Sequence, residues 1–428
     1  MMCDVHNGLS GRKFNGGERI MREEYDVIVV GAGPGGSIAA RTAAADCDVL
    51  LIEKRQEIGA PVRCAEFVPK DQFLKASKYI QLNKKWIASE INGIRMNAPD
   101  GTTFEASGET LGTGGGFGYV LERKIFDRQL AKDAARAGVD IMVRTRATGL
   151  IIEDSHVKGV KLNRLGEDFE VRSKVVIGAD GVESQVGRWG GINTTLKLKD
   201  AESCAQYLMT NVDTTENFLD VYAGSQAPGG YAWIFPKGAR AANVGLGVLG
   251  SKLAAKRPIE YLNEFVAKKC PGGQPVELVM GGVPLSDSLK TLVSNGLMLI
   301  GDAARHTEPL TGGGISTAIG GGTIAGEVAQ KAVHANDSSV RVLREYETRW
   351  HSSSGKIHKG MYKIKEFMVG ISDDEFNKLV RVLKDIKPQM SAIEIARRLL
   401  AANPKILFLM PHLSVIRKYA LFEMKHPQ

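Results

Sequence analysis

Cysteine is scarce and unpaired: five residues, Cys3, Cys47, Cys64, Cys204 and Cys270, share no C-x-x-C spacing. That excludes a disulfide framework, a zinc ribbon or a cysteine-ligated iron–sulfur cluster as the organising feature, and a reducing cytoplasm is the expected home. No run of about 18 apolar residues occurs, so no membrane-spanning helix is expected. Aromatic residues make up only 7% of the chain and are not interleaved with its basic residues, so nucleic acid is not an expected partner. The segment up to Arg22 is polar, without the apolar stretch of a secretion signal. Residues 1–20 are expected to be a disordered extension outside the fold.

What the chain has in excess is glycine, 49 of 428 residues, without collagen-like or low-complexity repetition. Such an excess points to tight turns and to close approaches of backbone to a ligand. Charge is uneven as well. Of the net +8, residues Gly355 to Gln428 carry 14 Lys/Arg against 7 Asp/Glu, leaving +7 in the tail. A basic, helix-patterned tail suits an anionic surface, either a membrane or an acidic partner, and equally suits a solvated helical face.

Tyr25 to Gly31 is a short apolar run ending in glycine, the pattern of a buried parallel strand. Ser37 to Ala45 reads as a helix and Val49 to Glu53 as the next strand, completing a βαβ unit. Glu122 to Gly138 reads as an amphipathic helix followed by a strand at Asp140 to Val143. Val157 to Leu162 and Phe169 to Val171 read as a hairpin, and Val175 to Gly178 as a separate buried strand. Alternating strands with turn glycines and one helix, Ile259 to Lys269, fill residues 200 to 283. The strand-to-glycine pattern returns at Gly296 to Asp302, followed by a long helix from Gly314 to His334.

Gly31-Ala-Gly33-Pro34-Gly35-Gly36 matches G-x-G-x-x-G between strand and helix. Gly31 permits the tight turn, Gly33 lets backbone approach a pyrophosphate, and Gly36 allows close helix–strand packing. Glu53 closes the second strand, where a carboxylate can accept hydrogen bonds from ribose hydroxyls. This fingerprint alone does not separate FAD from NAD.

Two further segments carry a resemblance. Gly178-Ala-Asp180-Gly181 through Arg188, and Gly301-Asp302-Ala-Ala-Arg305, resemble the second and third signatures of FAD enzymes related to p-hydroxybenzoate hydroxylase. The resemblance implies that Asp302 holds the ribityl chain, with Asp180 also at the cofactor. The turn Gly313-Gly314-Ile315 then opens a helix whose N–H groups would face the flavin. Pro228-Gly-Gly-Tyr231-Ala-Trp233-Ile-Phe235-Pro236 fits the P-x-x-Y-x-W-x-F-P pattern of the geranylgeranyl reductases, and Arg63-Cys64-Ala65 resembles their flavin-proximal cysteine segment. The resemblance covers about residues 22 to 350 and is nearest to the archaeal branch acting on digeranylgeranylglycerophospholipids. It further implies cofactor contacts from Arg123 and, near the adenine, Ala147.

On a strand, Tyr231, Trp233 and Phe235 share one face and would form an aromatic wall for an isoprenoid alkene; a core aromatic stripe is the plainer alternative. An isolated alkene lacks a carbonyl to stabilise a carbanion, so hydride addition needs a paired proton, and Cys64 is a candidate acid. His306 and Glu308 are expected near the flavin.

The implied architecture is α/β (α+β overall): a Rossmann-like FAD-binding domain (21–95, 119–195 and 295–340), an inserted antiparallel-sheet substrate domain (96–118 and 196–294) and a C-terminal helical region (341–428). The implied activity is FAD-dependent saturation of geranylgeranyl chains on a polyprenylated glycerolipid. The expected electron donor is ferredoxin or a reduced deazaflavin, and the expected location is peripheral, on the cytoplasmic membrane face. The competing readings are an aromatic hydroxylase of the same superfamily and a non-catalytic flavin-containing lipid carrier or electron-transfer protein.

Overall fold

The apolar run ending at Gly31 is buried on both faces, with Val27, Ile28 and Val29 each 0% exposed, as a central parallel strand requires. In the computed structural model this strand, Glu24–Val30, lies between Val49–Ile52 and Glu167–Gly178 and runs parallel to both. The residues described are 11–12, 21–107, 116–214, 217–253, 256–386, 390 and 392–409. Asp140–Met142 and Leu297–Leu299 extend the parallel sheet at its two sides.

The hairpin strand at Phe169 and the buried strand at Val175 prove to be one twelve-residue strand, Glu167–Gly178. Its first half alternates buried and exposed residues and pairs antiparallel with His156–Arg164. Its second half is continuously buried and pairs parallel with Glu24–Val30 and Leu297–Leu299. A change of partners, not a turn, produces the break in the sequence pattern, because only the second half is covered on both faces.

The turn helix, Pro34–Ala43, packs across the long helix Ile315–His334. Gly322 makes that crossing possible: a Cβ there would stand 2.3 Å from the Gly35 carbonyl oxygen.

A seven-stranded sheet forms the second layer, in the order Gln274–Pro284, Ala201–Thr210, Ala241–Leu249, Ala232–Pro236, Phe218–Tyr222, Gly93–Asn97, Thr103–Ser107. All neighbours are antiparallel except Phe218–Tyr222 and Gly93–Asn97, which run parallel. One face, carrying Ala205, Met209, Val244 and Leu246, packs against Leu262 and Phe265 of helix Pro258–Lys269. The opposite face is left for the cavity described below. A three-stranded sheet of Phe67–Pro69, Gly118–Leu121 and Ile87–Ile91 stands beside it.

Helices Val340–Trp350, Lys356–Val369, Asp373–Lys384 and Ala392–Ala402 complete the described chain. The buried Lys365 ties this region down by an ion pair with Asp200 at 3.2 Å. Of the N-terminal extension, Gly11–Arg12 pairs antiparallel with Met21–Arg22; residues 1–10 and 13–20 lie outside the described residues. So do residues 108–115 and everything from Met410 on.

Candidate active site

A cavity of about 530 Å³ lies between the two large sheets. At one end it is shaped by backbone. Gly31 has φ +109°, and a Cβ there would stand 2.3 Å from the Ala179 carbonyl oxygen. A Cβ on Gly36 would stand 1.9 Å from the Gly31 oxygen. Both positions exclude a side chain for packing reasons. Gly33 differs: a Cβ there meets nothing within 4 Å, so the space beside it is open.

Helix Pro34–Ala43 begins at Gly33 with no side-chain cap and no acidic residue in its first turn. Helix Ile315–His334 begins at Gly314 in the same way. Both starts line the cavity, so two sets of unspent N–H groups and two positive helix ends converge on it. Asp180 lines it too. One of its oxygens accepts from the Val186 N–H at 3.0 Å, while the other, Oδ1, is buried with no partner. Burial raises the Asp180 and Asp302 carboxyls, and Asp302 accepts from the Thr307 hydroxyl at 2.7 Å. Glu53 accepts from the N–H of Ala32 at 3.1 Å and of Arg55 at 2.9 Å, so its carboxylate braces the turn. Ala147, Arg63, Ala65 and Ile315 also line the cavity; Gly313 does not, although Gly312 and Gly314 do. Open backbone, positive helix ends and an orphaned buried oxygen fit a dinucleotide.

The other end is shaped by side chains. The Cys64 Sγ accepts from the Glu66 N–H at 3.2 Å, and Arg123 lies beside it. Burial raises the thiol, and the Arg123 charge opposes that rise. Arg123 is itself held by Asp127 at 2.6 Å, so it is both an ion-pair partner and part of the wall. Glu66, at a left-handed φ of 73°, anchors the Cys64 loop. Its carboxylate accepts from Lys237 at 2.6 Å, Asn243 at 2.7 Å and the Arg123 N–H at 2.9 Å.

Tyr231 and Trp233 meet edge to face with centroids 5.7 Å apart, and both line the cavity. The Tyr231 hydroxyl donates to the Thr311 carbonyl, joining this segment to the second helix start. Phe235 stands one step farther on, off the cavity, against Trp233 at 6.3 Å and Phe67 at 6.2 Å. The aromatic wall at the cavity is therefore two residues deep, with Phe235 backing it. His306 and Glu308 do not line the cavity either. His306 is fully buried and stacks on Trp350 at 3.5 Å, while Glu308 accepts from the N–H groups of Leu310 and Thr311.

Three cavity residues carried no motif: Glu202, Cys204 and Gln206, alternate positions of strand Ala201–Thr210 and so on one face. Gln206 accepts from Trp233 Nε1 at 3.0 Å and donates to the Cys64 carbonyl at 3.0 Å, locking the aromatic segment to the cysteine loop. Opposite lie alternate glycines. A Cβ on Gly245 would strike the Trp233 ring, and one on Gly247 the Glu202 carboxylate. The available signal was this pairing of polar alternation with glycine alternation in neighbouring strands. Among the described residues no His/Cys/Asp/Glu group could hold a metal ion.

Comparison with known proteins places these features in context. Residues 29–82 match a family model described as an NAD(P)-binding Rossmann-like domain, and residues 200–283 match one described as the geranylgeranyl reductase catalytic domain. A digeranylgeranylglycerophospholipid reductase of Methanosarcina mazei is 51% identical over 91% of this chain and 96% of its own length. A protein of the same name from Methanocella arvoryzae is 50% identical, over 90% and 98%. Among solved structures, a geranylgeranyl bacteriochlorophyll reductase-like protein from Thermoplasma acidophilum superposes with a TM-score of 0.84 at 39% identity, covering 91% of this chain and 99% of that one. A flavin-dependent brominase shares the fold, with a TM-score of 0.63 at 17% identity over 89% of this chain and 100% of its own.

Proposed function

The chain belongs to the digeranylgeranylglycerophospholipid reductase family, and from that membership we propose that it uses FAD to saturate the isoprenoid double bonds of geranylgeranyl chains in archaeal membrane glycerolipids. The observation that carries this reading is one cavity joining a dinucleotide cradle to a pocket of thiol and aromatic side chains. FAD, when bound, supplies the hydride chemistry that alkene reduction needs.

The chain's own residues do the rest. The glycine turn, with the helix start at Gly33, would hold the pyrophosphate, Asp302 would hold the ribityl hydroxyls, and the helix start at Gly314 would face the ring with its positive end. Tyr231 and Trp233 pack against the flat alkene and, with the lipid in place, exclude water. The Cys64 thiol, kept protonated by burial, gives its proton to the second alkene carbon.

The test is anaerobic incubation with dithionite and digeranylgeranylglyceryl phosphate, followed by mass spectrometry. Products heavier by successive pairs of hydrogens are expected. Stoichiometric lipid binding with no added hydrogen would instead make the protein a carrier.

Isoprenoid tails are too apolar to diffuse freely in water, so the substrate is met at a bilayer. Leu407 and Phe408, 61% and 81% exposed beyond the last basic helix, offer a peripheral contact on the cytoplasmic face. No helix among the described residues is long and apolar enough to cross a membrane. Changing both residues to Glu is expected to weaken cosedimentation with anionic vesicles. Ferredoxin or a reduced deazaflavin is the proposed donor, tested by the rate at which each reduces the bound flavin anaerobically.

A further inference from the structure

Glu202 is a carboxyl buried in the cavity wall, 6% exposed, and among the described residues no cation forms an ion pair with it. The positive charge that acts on it, Lys365, is already bound to Asp200 and Glu366. Among the described residues its Oε1 has no partner, and its Oε2 accepts from the Cys204 thiol at 3.5 Å. The neighbouring strand leaves room for it: a Cβ on Gly247 would stand 2.3 Å from the carboxyl carbon, and one on Gly230 2.2 Å from Oε1. Two glycines thus keep open a niche that a carboxyl fills without an ion-pair partner.

An unpaired buried carboxylate is costly, and such a group keeps its proton instead. Burial pushes Glu202 up to about 7. The titratable groups that face it are Cys204 on its own strand, Tyr231 beside Gly230 on the same sheet and Lys365 from helix Lys356–Val369. Cys204 and Cys64 line the same stretch of wall: Gln206, next on the same strand face, donates to the Cys64 carbonyl at 3.0 Å, and a Cβ on Gly281, the strand partner of Cys204, would stand 3.2 Å from the Arg63 Cβ, so carboxyl, thiol and thiol follow one another along the cavity.

We propose that Glu202 is the proton store of this cavity, restoring through Cys204 the proton that Cys64 gives up at each saturation. The inference rests on the reductase reading above. In each cycle the S–H bond of Cys64 breaks as a C–H bond forms on the alkene, leaving a thiolate. Cys204 passes its proton to that thiolate and takes the proton of Glu202, whose carboxylate is recharged from solvent when the lipid shifts. The two electrons come from the reduced flavin and its donor. A local store matters because the open side of Cys64 faces the cavity, which the lipid fills, while each geranylgeranyl chain presents several double bonds in succession.

The test is rapid-quench turnover of dithionite-reduced holoenzyme with digeranylgeranylglyceryl phosphate, comparing wild type with Glu202→Gln and Cys204→Ala. Wild type is expected to add successive hydrogen pairs at one steady rate that falls as pH rises through about 7. Each variant is expected to add the first pair within about threefold of wild type, then slow by tenfold or more, with that pH dependence gone. A readout independent of turnover is the infrared band of a protonated carboxyl in the oxidised enzyme at neutral pH, expected in wild type and missing in Glu202→Gln. Variants with the wild-type steady rate, or with the first pair lost equally with the rest, overturn the store. So does a wild type lacking the band. A wild type that adds no hydrogen overturns the reductase reading itself.

Discussion

The two ends of the cavity are built on opposite principles. At the dinucleotide end most of the wall is backbone, glycines without room for a side chain and helix starts without caps, with the carboxyls of Glu53, Asp180 and Asp302 set around it. At the other end the wall is side chains, Cys64, Glu202, Gln206, Tyr231 and Trp233: Gln206 ties Trp233 to the Cys64 carbonyl, Tyr231 donates to the Thr311 carbonyl, Glu202 accepts from Cys204, and glycines across the sheet leave them room. A backbone site tolerates almost no change in shape but says little about chemistry. A side-chain site is the reverse, with a fold that survives substitution and a reaction that does not.

The sharpest way to break that contrast is Gly36→Ala. With a Cβ 1.9 Å from the Gly31 oxygen, we expect a loss of about 4 kcal/mol or more and no retained FAD, read by thermal melting and flavin absorbance. Gly33→Ala, in the same turn but facing open space, is expected to keep its melting temperature and lose FAD affinity alone. At the other end, Cys64→Ser is expected to retain flavin and fold while alkene saturation falls about 10²-fold or more; full turnover in that variant would remove the thiol from the mechanism.

Glu202 sharpens the contrast through pH. Its folded value lies above the ordinary 4.5, so the folded state holds this proton more tightly than the unfolded chain. Stability from this group is therefore whole below about pH 4.5 and is lost as pH rises through about 7. Glu202→Gln is expected to melt like wild type at pH 4 and to gain about 3 kcal/mol at pH 8, a side-chain site improved in stability as it is impaired in function. The smallest effect is expected of Gln206→Ala, which leaves the Trp233 N–H and the Cys64 carbonyl unpaired. A cost of about 2 kcal/mol, read by denaturant unfolding, with FAD binding intact would place Gln206 wholly at the substrate end.

The same contrast governs what could be read from sequence. The dinucleotide end is contiguous: strand, turn and helix follow one another, and each glycine of Gly31 to Gly36 has a local reason. The long-range Asp180 and Asp302 segments each follow a legible strand-to-glycine pattern, but their place at the cofactor is implied only by the resemblance to p-hydroxybenzoate hydroxylase-related FAD enzymes. The substrate end depends on register. Glu202 faces the cavity only because Cys204 pairs with Gly247 on one side and Gly281 on the other, a relation spanning some eighty residues. The aromatic alternation was legible, but not that Phe67 would cover Phe235 and remove it from the wall. The burial of His306 away from the cavity is illegible for a similar reason, since its stacking partner Trp350 belongs to a helix with no local signal toward it. The fusion of two strands into Glu167–Gly178 was hidden because the pattern records coverage, not continuity.

The cradle's discontinuity also sets a timetable. The turn at Gly31 leaves the ribosome long before strand Leu297–Leu299 and the helix starting after Gly314, which are needed to close it. An emerging chain therefore carries an incomplete nucleotide pocket through most of its synthesis, with the whole seven-stranded sheet made in the interval. Flavin capture becomes a late event, available only to a chain that has already built the sheet where its substrate will lie.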